Sequence, residues 1–312
     1  GFRVLAGNDF NDYAAETYRL SHPRVPFLEG PIESISVADL LDAAGIAQGE
    51  LDVLVGGPPC QAFSVYNHQR GMHDQRSGLF REYLRIVEGL RPRFVVMENV
   101  TGILSIAHGN AVREIHDSLS QMGYLVEHRT LKAEEFGVPQ ERRRVFFIGN
   151  RDGSRIRWPE PTHGVSGHDL FSYSGESPLL PLVTIGDAIG DLPELSISEG
   201  EEESRYQGAP ETEYQAVLRE GSELLTNHVA PHLSAINLKR LRHIPPGGSW
   251  RDIPFDLLPA GMKKAKRSDH TKRYGRPLLS QLSCTILTKC DLHWGAYVHT
   301  AQERTLTVRE AA

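Results

Sequence analysis

Hydrophobic positions along the first half of the chain form short apolar runs that alternate with stretches of helical spacing. The runs are rich in β-branched residues and end at turn residues, so they predict buried strands. Strands are predicted over Phe2–Ala6, Leu51–Val55, Phe94–Met97, Tyr124–His128, Val145–Gly149 and, near the end, Ser283–Thr288. Helices are predicted over Tyr13–Leu20, Val37–Ala44, Leu79–Leu90, Val112–Met122 and Thr184–Leu192. Alternating strands and helices are typical of the α/β fold class.

The stretch that follows the second predicted strand presents a cysteine on a stiff turn. Gly56 and Gly57 allow the backbone to turn sharply, and Pro58 and Pro59 stiffen what comes next. Cys60 then lies beyond the carboxyl end of a strand, which is where open α/β sheets build active sites. We therefore predict that Cys60 is a nucleophilic thiol.

Two carboxylates also follow predicted strands. Glu98 comes directly after the apolar run Phe94–Met97, where an unpaired carboxylate is costly. Either a structural donor satisfies Glu98, or Glu98 is a site residue with a raised pKa. Asp9 lies where β-α units commonly hold the ribose hydroxyls of a nucleotide, and Phe10 is available to pack on an adenine. A helix cap or turn role for Asp9 fits its position equally well.

Three consecutive arginines lead into the predicted strand Val145–Gly149. Side chains alternate in direction along a strand, so Arg142 and Arg144 should point the same way. For these two, convergence on an anionic or carbonyl-bearing ligand is favoured. Arg143 is interpreted as surface charge.

The net charge of −6 hides two segments of opposite sign. Over Asp191–Glu223, ten Asp and Glu residues stand against two arginines, which is typical of a solvated or disordered face. Over Lys239–Arg276, eleven Lys and Arg residues stand against three aspartates, a balance of +8. Trp250, Tyr274 and a Pro-Pro-Gly-Gly turn in that basic segment favour a phosphate-facing surface over a merely solvated one.

Cysteine usage and hydropathy indicate the compartment. Cys60, Cys284 and Cys290 are too few for a disulfide framework, and the last two lack zinc-type spacing, so we predict no metal. No apolar run reaches the length of a membrane span, and no basic-then-apolar leader opens the chain. We expect a protein of the cytoplasm with no membrane partner, where a reducing environment keeps the Cys60 thiol usable.

Three blocks in this order, GGPPCQAFS, VVMENV and GVPQERRRVFFIGN, resemble the DNA (cytosine-5)-methyltransferase family. Further matches are AGNDFNDYAAETY near the start, RSGLF in the first half, and RTLTVREAA at the end. PPC alone would be a weak signal, but PPCQ with ENV and QxRxR at these intervals is a specific one. The resemblance covers nearly the whole chain apart from the variable stretch of about 190–280.

The resemblance implies a Rossmann-like sheet and S-adenosylmethionine-dependent methylation of carbon 5 of cytosine in a specific short DNA sequence. Cys60 matches the thiolate that attacks carbon 6 of a flipped base, and Glu98 matches the carboxyl group that engages nitrogen 3 and the exocyclic amine. Arg144 matches the arginine that holds the base carbonyl, and Arg142 is its neighbour near the same pocket.

The resemblance also implies residues that contact the cofactor and the nucleic acid. Asp9 matches the ribose contact and Phe10 the adenine contact. The other implied positions are Ile32, Pro58 and Leu79 for the cofactor, and Gln61, Ser64 and Gln140 for the nucleic acid. Pro31 stands where many members of the family have an acidic residue near the adenine amine, which leaves that contact open.

The implied domains are a catalytic domain over 1–190, a smaller and mostly irregular or β target-recognition domain over 191–290, and a return to the catalytic domain over 291–312. We expect the chain to lack the family's glycine-rich cofactor loop with its first strand, and the end of its C-terminal motif. The expected partner is double-stranded DNA, and the expected full-length form is a monomer.

Two alternatives stay open at this point. A tRNA cytosine-5 methyltransferase of the same family would share the catalytic blocks, although PPGGSW and SDHTKRYGR favour the DNA branch. A truncated, non-catalytic nucleic-acid-binding fragment is the second alternative. Restriction-modification is one of several biological roles that the sequence allows.

Overall fold

The computed structural model describes residues 1–59, 78–164, 179–288 and 290–312. The chain divides into two compact units, one formed by Gly1–Leu131 with Arg143–Pro159 and the other by Lys132–Arg142 with Glu160–Ala312. The domain boundaries predicted near residues 190 and 290 do not coincide with the borders of these units. Those boundaries concern functional domains, and they stay a prediction. Within the described ranges, no helix combines the length and the apolar character that crossing a membrane requires.

Strands and helices alternate in the first half of the chain, and shorter elements follow. In chain order, the strands are β1 (Gly7–Asp9), β2 (Phe27–Glu29), β3 (Val53–Gly56), β4 (Phe94–Val100), β5 (Leu125–Lys132), β6 (Gln140–Glu141), β7 (Arg143–Asn150), β8 (His163–Gly164), β9 (Leu180–Pro181), β10 (Gly200–Ser204), β11 (Leu225–Val229) and β12 (Ser283–Cys284). The helices are α1 (Asp12–Ser21), α2 (Val37–Ala44), α3 (Leu79–Leu90), α4 (Asn110–Gln121), α5 (Ile185–Ile189), α6 (Glu213–Leu218), α7 (Ala235–Leu241) and α8 (Val308–Ala311). A 3-10 turn at Ile32–Ser34 precedes α2.

The first unit is built on a four-stranded sheet in the order β3-β4-β7-β5. β3 runs parallel to β4, and β4 runs antiparallel to β7. Helices α3 and α4 contribute most of the side chains that cover one face of this sheet, and their apolar residues form one cluster with Val95, Met97 and Phe147. A second, two-stranded parallel sheet pairs β1 with β2. This arrangement confirms the predicted α/β class.

The prediction of a strand over Phe2–Ala6 is wrong, because the strand in this region is β1. Phe2 is 87% exposed, so its apolar character does not reflect burial. Pairing of β1 instead depends on the segment around β2, since the Gly7 backbone N–H donates to Pro26 at 3.1 Å. The Asn8 side-chain amide donates to the carbonyl of Leu28 at 2.8 Å.

The predicted strand Ser283–Thr288 is also shorter in the structure. Only Ser283 and Cys284 pair with β6. The Leu287 backbone N–H donates to the hydroxyl of Tyr297 at 3.0 Å rather than to a neighbouring strand. A hydrogen bond to a side chain therefore takes the place of a backbone hydrogen bond to a neighbouring strand, and the strand pairing stops after two residues.

The two aromatic residues of the basic segment, Trp250 and Tyr274, lie in the interior of the second unit and not on a phosphate-facing surface. Trp250 and Tyr274 are 3% and 0% exposed and belong to an apolar core that also contains Leu241, Leu292 and Val298. They form the core of the second unit and do not supply aromatic surface for a nucleic acid. Acidic residues behave as expected of a solvated face, because the strand β10 is exposed along most of its length while it pairs antiparallel with β11.

Candidate active site

Glu98 and Arg144 contact each other at the sheet of the first unit. The β4–β7 register places Val100 opposite Arg144 and Glu98 opposite Phe146, so Glu98 and Arg144 are diagonal neighbours on one face. Arg144 Nε lies 2.6 Å from Glu98 Oε1. The side chains are 19% and 35% exposed, respectively. Glu98 therefore has the donor that one of its two sequence interpretations required.

The loop that leads to Cys60 lies against the end of β4. The Asn99 side-chain amide donates to the carbonyl oxygen of Pro58 at 3.3 Å. A Cβ atom on Gly57 would lie 3.4 Å from Glu98 Oε2, which places that carboxylate beside the loop backbone. The structure thus brings Pro58, Glu98 and Arg144 together. Cys60, Gln61 and Ser64 lie outside the described residues.

Tyr83 packs against Gly56, where the same loop begins. A Cβ atom on Gly56 would lie 2.7 Å from the Tyr83 ring, so only glycine fits at this position while the ring stays in place. The Tyr83 hydroxyl donates to the carbonyls of Leu54 and Val96, each at 3.1 Å, and so ties β3 to β4. Burial raises the pKa of Tyr83, which keeps this hydroxyl protonated as a donor.

Asp9 and Phe10 lie at the carboxyl end of β1, next to the corresponding end of β2. The two strands are parallel with Asp9 opposite Glu29, so both carboxyl ends meet at one edge. Asp9 Oδ1 accepts the backbone N–H of Asn11 at 2.9 Å, and Asn11 in turn caps helix α1. Asp9 is therefore a turn residue and not the helix cap. Phe10 is 67% exposed.

The remaining positions suggested for the cofactor are partly buried. Ile32 opens the 3-10 turn that follows β2, Leu79 is the first residue of α3, and Pro58 lies in the loop described above. An exposed carboxylate can accept hydrogen bonds from the vicinal hydroxyls of a nucleoside, and an exposed aromatic ring beside it can stack on the base. The described residues of this unit therefore fit the adenosine part of S-adenosylmethionine.

Arg142 and Gln140 belong to the second unit. Arg142 directly precedes β7, which begins at Arg143, so the shared direction of Arg142 and Arg144 stays a prediction. The Arg142 backbone N–H donates to a carboxylate oxygen of Glu134 at 3.3 Å. Gln140 lies in β6, and its side-chain oxygen accepts the backbone N–H of Ile286 at 3.4 Å. The roles of Arg142 and Gln140 in binding stay predictions.

Sequence reasoning missed two residues that shape the site, Asn99 and Tyr83. Asn99 follows Glu98, and alternation along β4 predicts that the two side chains lie on opposite faces. Asn99 is 3% exposed, and a side-chain amide that is buried needs a hydrogen-bond partner. Tyr83 lies within the predicted helix Leu79–Leu90, but nothing in the sequence indicated which carbonyls its hydroxyl would contact.

Comparison with known proteins assigns this chain to a family. The model of C-5 cytosine-specific DNA methylases matches residues 1–312, so the chain belongs to this family. The α/β fold is the one found in a crystal structure described as a prophage-encoded DNA modification methyltransferase (E. coli), with a TM-score of 0.68 and 20% identity. That match covers 99% of this chain and 81% of the other.

Two bacterial relatives are similar over most of the chain. Type II methyltransferase M.AgeI from Thalassovita gelatinovora is 36% identical over 271 residues, which are 84% of this chain and 63% of that protein. Type II methyltransferase M1.HphI from Haemophilus parahaemolyticus is 31% identical over 314 residues, which cover 100% of this chain and 71% of that protein. The chain therefore spans less than two thirds of the first relative's length.

Proposed function

We propose that the protein methylates carbon 5 of cytosine within a specific short sequence of double-stranded DNA, as part of a restriction-modification system. The observation that carries this proposal is the Glu98–Arg144 ion pair beside the loop that leads to Cys60. A carboxylate, a guanidinium and a thiol are the groups that activation of a pyrimidine ring requires.

The proposed chemistry begins with the Cys60 thiolate. Its sulfur adds to carbon 6 of the cytosine, and the electrons of the 5,6 double bond make carbon 5 nucleophilic. Glu98 would engage nitrogen 3 and the exocyclic amine, and Arg144 would hold the base carbonyl. Loss of the proton on carbon 5 then expels the sulfur and restores the ring. Because Glu98 and Arg144 already contact each other at 2.6 Å, both are held in place before a base arrives.

The methyl donor of this proposal is S-adenosylmethionine, with no metal. When bound, S-adenosylmethionine supplies an electrophilic methyl group for carbon 5. Asp9 would hold the ribose hydroxyls and Phe10 would pack on the adenine. Ile32, Pro58 and Leu79 would supply apolar and backbone contacts around them. The position of Asp9 and Phe10 at adjoining carboxyl ends of β1 and β2 supports this assignment.

The proposed substrate is a flipped base, because carbon 6 is out of reach inside a duplex. Gln61, Ser64 and Gln140 would face the nucleic acid, and Arg142 would lie near the base pocket. Exposed lysines of the basic segment, Lys263, Lys264 and Lys266, support a phosphate-facing surface in the second unit. The full-length protein would act as a monomer in a bacterial cytoplasm, where its DNA substrate lies.

Tritiated methyl transfer tests this function. The full-length protein, supplied with labelled S-adenosylmethionine, should label duplex DNA and not tRNA, and Cys60→Ser should abolish labelling while DNA binding is retained. Labelling of tRNA alone would identify the RNA methyltransferase of the same family instead. DNA labelling by Cys60→Ser at the wild-type rate would refute the thiolate mechanism.

A further inference from the structure

Arg85 ties helix α3 to the turn that carries Ile32. Its Nη2 atom donates to two backbone carbonyls, that of Ile32 at 2.9 Å and that of Ile35 at 3.1 Å. Its Nε atom donates to Glu82 on the same helix at 2.7 Å, which fixes the direction of the guanidinium. One planar side chain thus bridges both ends of a single turn.

The turn itself is short and depends on few contacts of its own. It links β2 to α2, and its internal hydrogen bonds join Ser34 to Pro31 at 2.9 Å and Ile35 to Ile32 at 3.2 Å. Gly30, just before it, has φ +128, a conformation that only glycine adopts readily. The Asn8 side-chain amide donates to the Gly30 carbonyl at 2.9 Å. Asn8 therefore holds the start of this connection, and Arg85 holds its end.

Helix α3 is the fixed element to which Arg85 ties this connection. Gly89 of α3 packs so closely on Val37 of α2 that an added Cβ atom would lie 2.2 Å from that side chain. Leu79 begins the same helix. Arg85 therefore fixes the position of Ile32 relative to helix α3, which also carries Leu79. Ile32 and Leu79 are both suggested to contact the cofactor.

We infer that Arg85 is a positioning residue for the adenosine side of the cofactor site, acting through the backbone of Ile32 and Ile35. This inference rests on the proposed function, since Ile32 and Leu79 matter only where an adenosine group binds. Arg85 is not a member of the apolar cluster that α3 forms with the sheet, and 36% of its side chain is exposed. Its removal should loosen the turn while the apolar face of α3 stays packed.

Calorimetric titration of the full-length protein with S-adenosylmethionine, without DNA, is the direct test. Arg85→Ala should raise the dissociation constant about tenfold, which corresponds to about 1.4 kcal/mol. Arg85→Lys, whose ammonium can reach one carbonyl but not bridge two, should give an intermediate value. In methyl-transfer assays, the KM for S-adenosylmethionine should rise in parallel, with kcat and the KM for DNA unchanged.

Arg81→Ala is the matched control. Arg81 lies one turn earlier on α3 and pairs with Glu114 on the surface, so its loss removes a comparable charge and should leave cofactor affinity at the wild-type value. Wild-type affinity in Arg85→Ala would overturn the positioning role. So would a fall in kcat together with a lower urea midpoint of unfolding, since both would indicate a general loss of structure. A wild-type protein that transfers no methyl group would refute the proposed function and this inference together.

Discussion

Arg144 contacts Glu98 across 2.6 Å between two antiparallel strands. Each group is held by the other while both keep some exposure, so the pair is ordered without being sealed from a substrate. This contact explains how a carboxylate is tolerated at the end of an apolar strand. It also leads to the first prediction.

Glu98→Gln should lower methyl transfer by at least about 100-fold, because the amide keeps the shape but cannot donate or accept a proton as the carboxyl group does. DNA binding, measured by gel shift, should stay at the wild-type level. Glu114→Gln breaks another arginine–glutamate pair of the same unit, that with Arg81, and serves as the control. Wild-type turnover in Glu98→Gln would rule out its chemical role.

Asn99 gives a prediction about the loop rather than about the chemistry. Its amide is the contact described between β4 and the Pro58 carbonyl, so Asn99→Ala should loosen the segment that leads to Cys60. We expect kcat to fall about tenfold or more, since small displacements of a reacting group are costly. Asn99→Asp should be no better, because a carboxylate oxygen would then face the carbonyl oxygen.

Asn110→Ala is a suitable control for that experiment. Asn110 begins helix α4 and contacts Arg113 on the surface, so its removal should leave kcat unchanged. If Asn99→Ala turned over at the wild-type rate, the anchoring role of the amide would have to be abandoned.

Breaking a buried ion pair should strongly destabilise the second unit. Arg304 is 0% exposed and contacts Glu310 through two hydrogen bonds, each 2.7 Å long. Glu310→Ala leaves the guanidinium buried without its partner and should lower the free energy of unfolding by about 3–5 kcal/mol. Glu303→Ala removes the exposed pair with Arg242 and should cost less than about 1 kcal/mol. Urea titrations followed by circular dichroism would compare them, and equal losses would contradict this ranking.

His299 should make the same unit sensitive to acid. Its Nδ1 atom accepts the backbone N–H groups of Ala301 at 3.2 Å and Gln302 at 2.9 Å, so the neutral ring carries its proton on Nε2. Burial lowers the pKa of His299 to about 4, although Glu310, 3.6 Å away, favours the protonated form. Arg304, Arg276 and His228 lie near enough to lower the pKa of His299 in the same direction as burial.

The sign of the pH effect follows from this lowered pKa. An unfolded histidine has a pKa of about 6.5, so between about pH 6.5 and 4 the unfolded chain binds a proton that the folded chain does not. The contribution of His299 to stability is therefore complete above about pH 6.5 and is lost as the pH falls, by about 1.4 kcal/mol per unit. His299→Gln should flatten the decline in the urea midpoint between pH 7 and 5. His243→Gln, at an exposed histidine of the same unit, should leave it unchanged, and an unaltered slope in His299→Gln would contradict the argument.

Some elements could be predicted to the residue because their signals are local. Helix α2 has its Ser36 capping box and a left-handed Gly45 at its end, and the sequence predicted its bounds, Val37–Ala44, correctly. Helix α3 was predicted with equal accuracy from its apolar stripe. The need of Glu98 for a donor was also predictable, because an apolar strand before a carboxylate is a local pattern.

Other features depended on pairing between distant segments. The choice of Arg144 as the partner of Glu98 follows from the β4–β7 register, which no local pattern specifies. Trp250 and Tyr274 looked suited to a surface because their neighbours are basic, yet Leu292 and Val298, distant in sequence, enclose them. The strand β1 was misplaced for the same reason, since its hydrogen bonds come from the segment around β2.

The covalent step at Cys60 is the central claim, and trapping of the intermediate tests it most directly. Duplex DNA that carries 5-fluorocytosine in the recognised sequence should form a stable adduct with the full-length protein in the presence of S-adenosylmethionine, because fluorine on carbon 5 cannot leave as a proton does. Peptide mapping by mass spectrometry should locate the adduct at Cys60, and Cys60→Ser should form none. Methylation of normal DNA without any trapped adduct, or an adduct at another residue, would contradict the account.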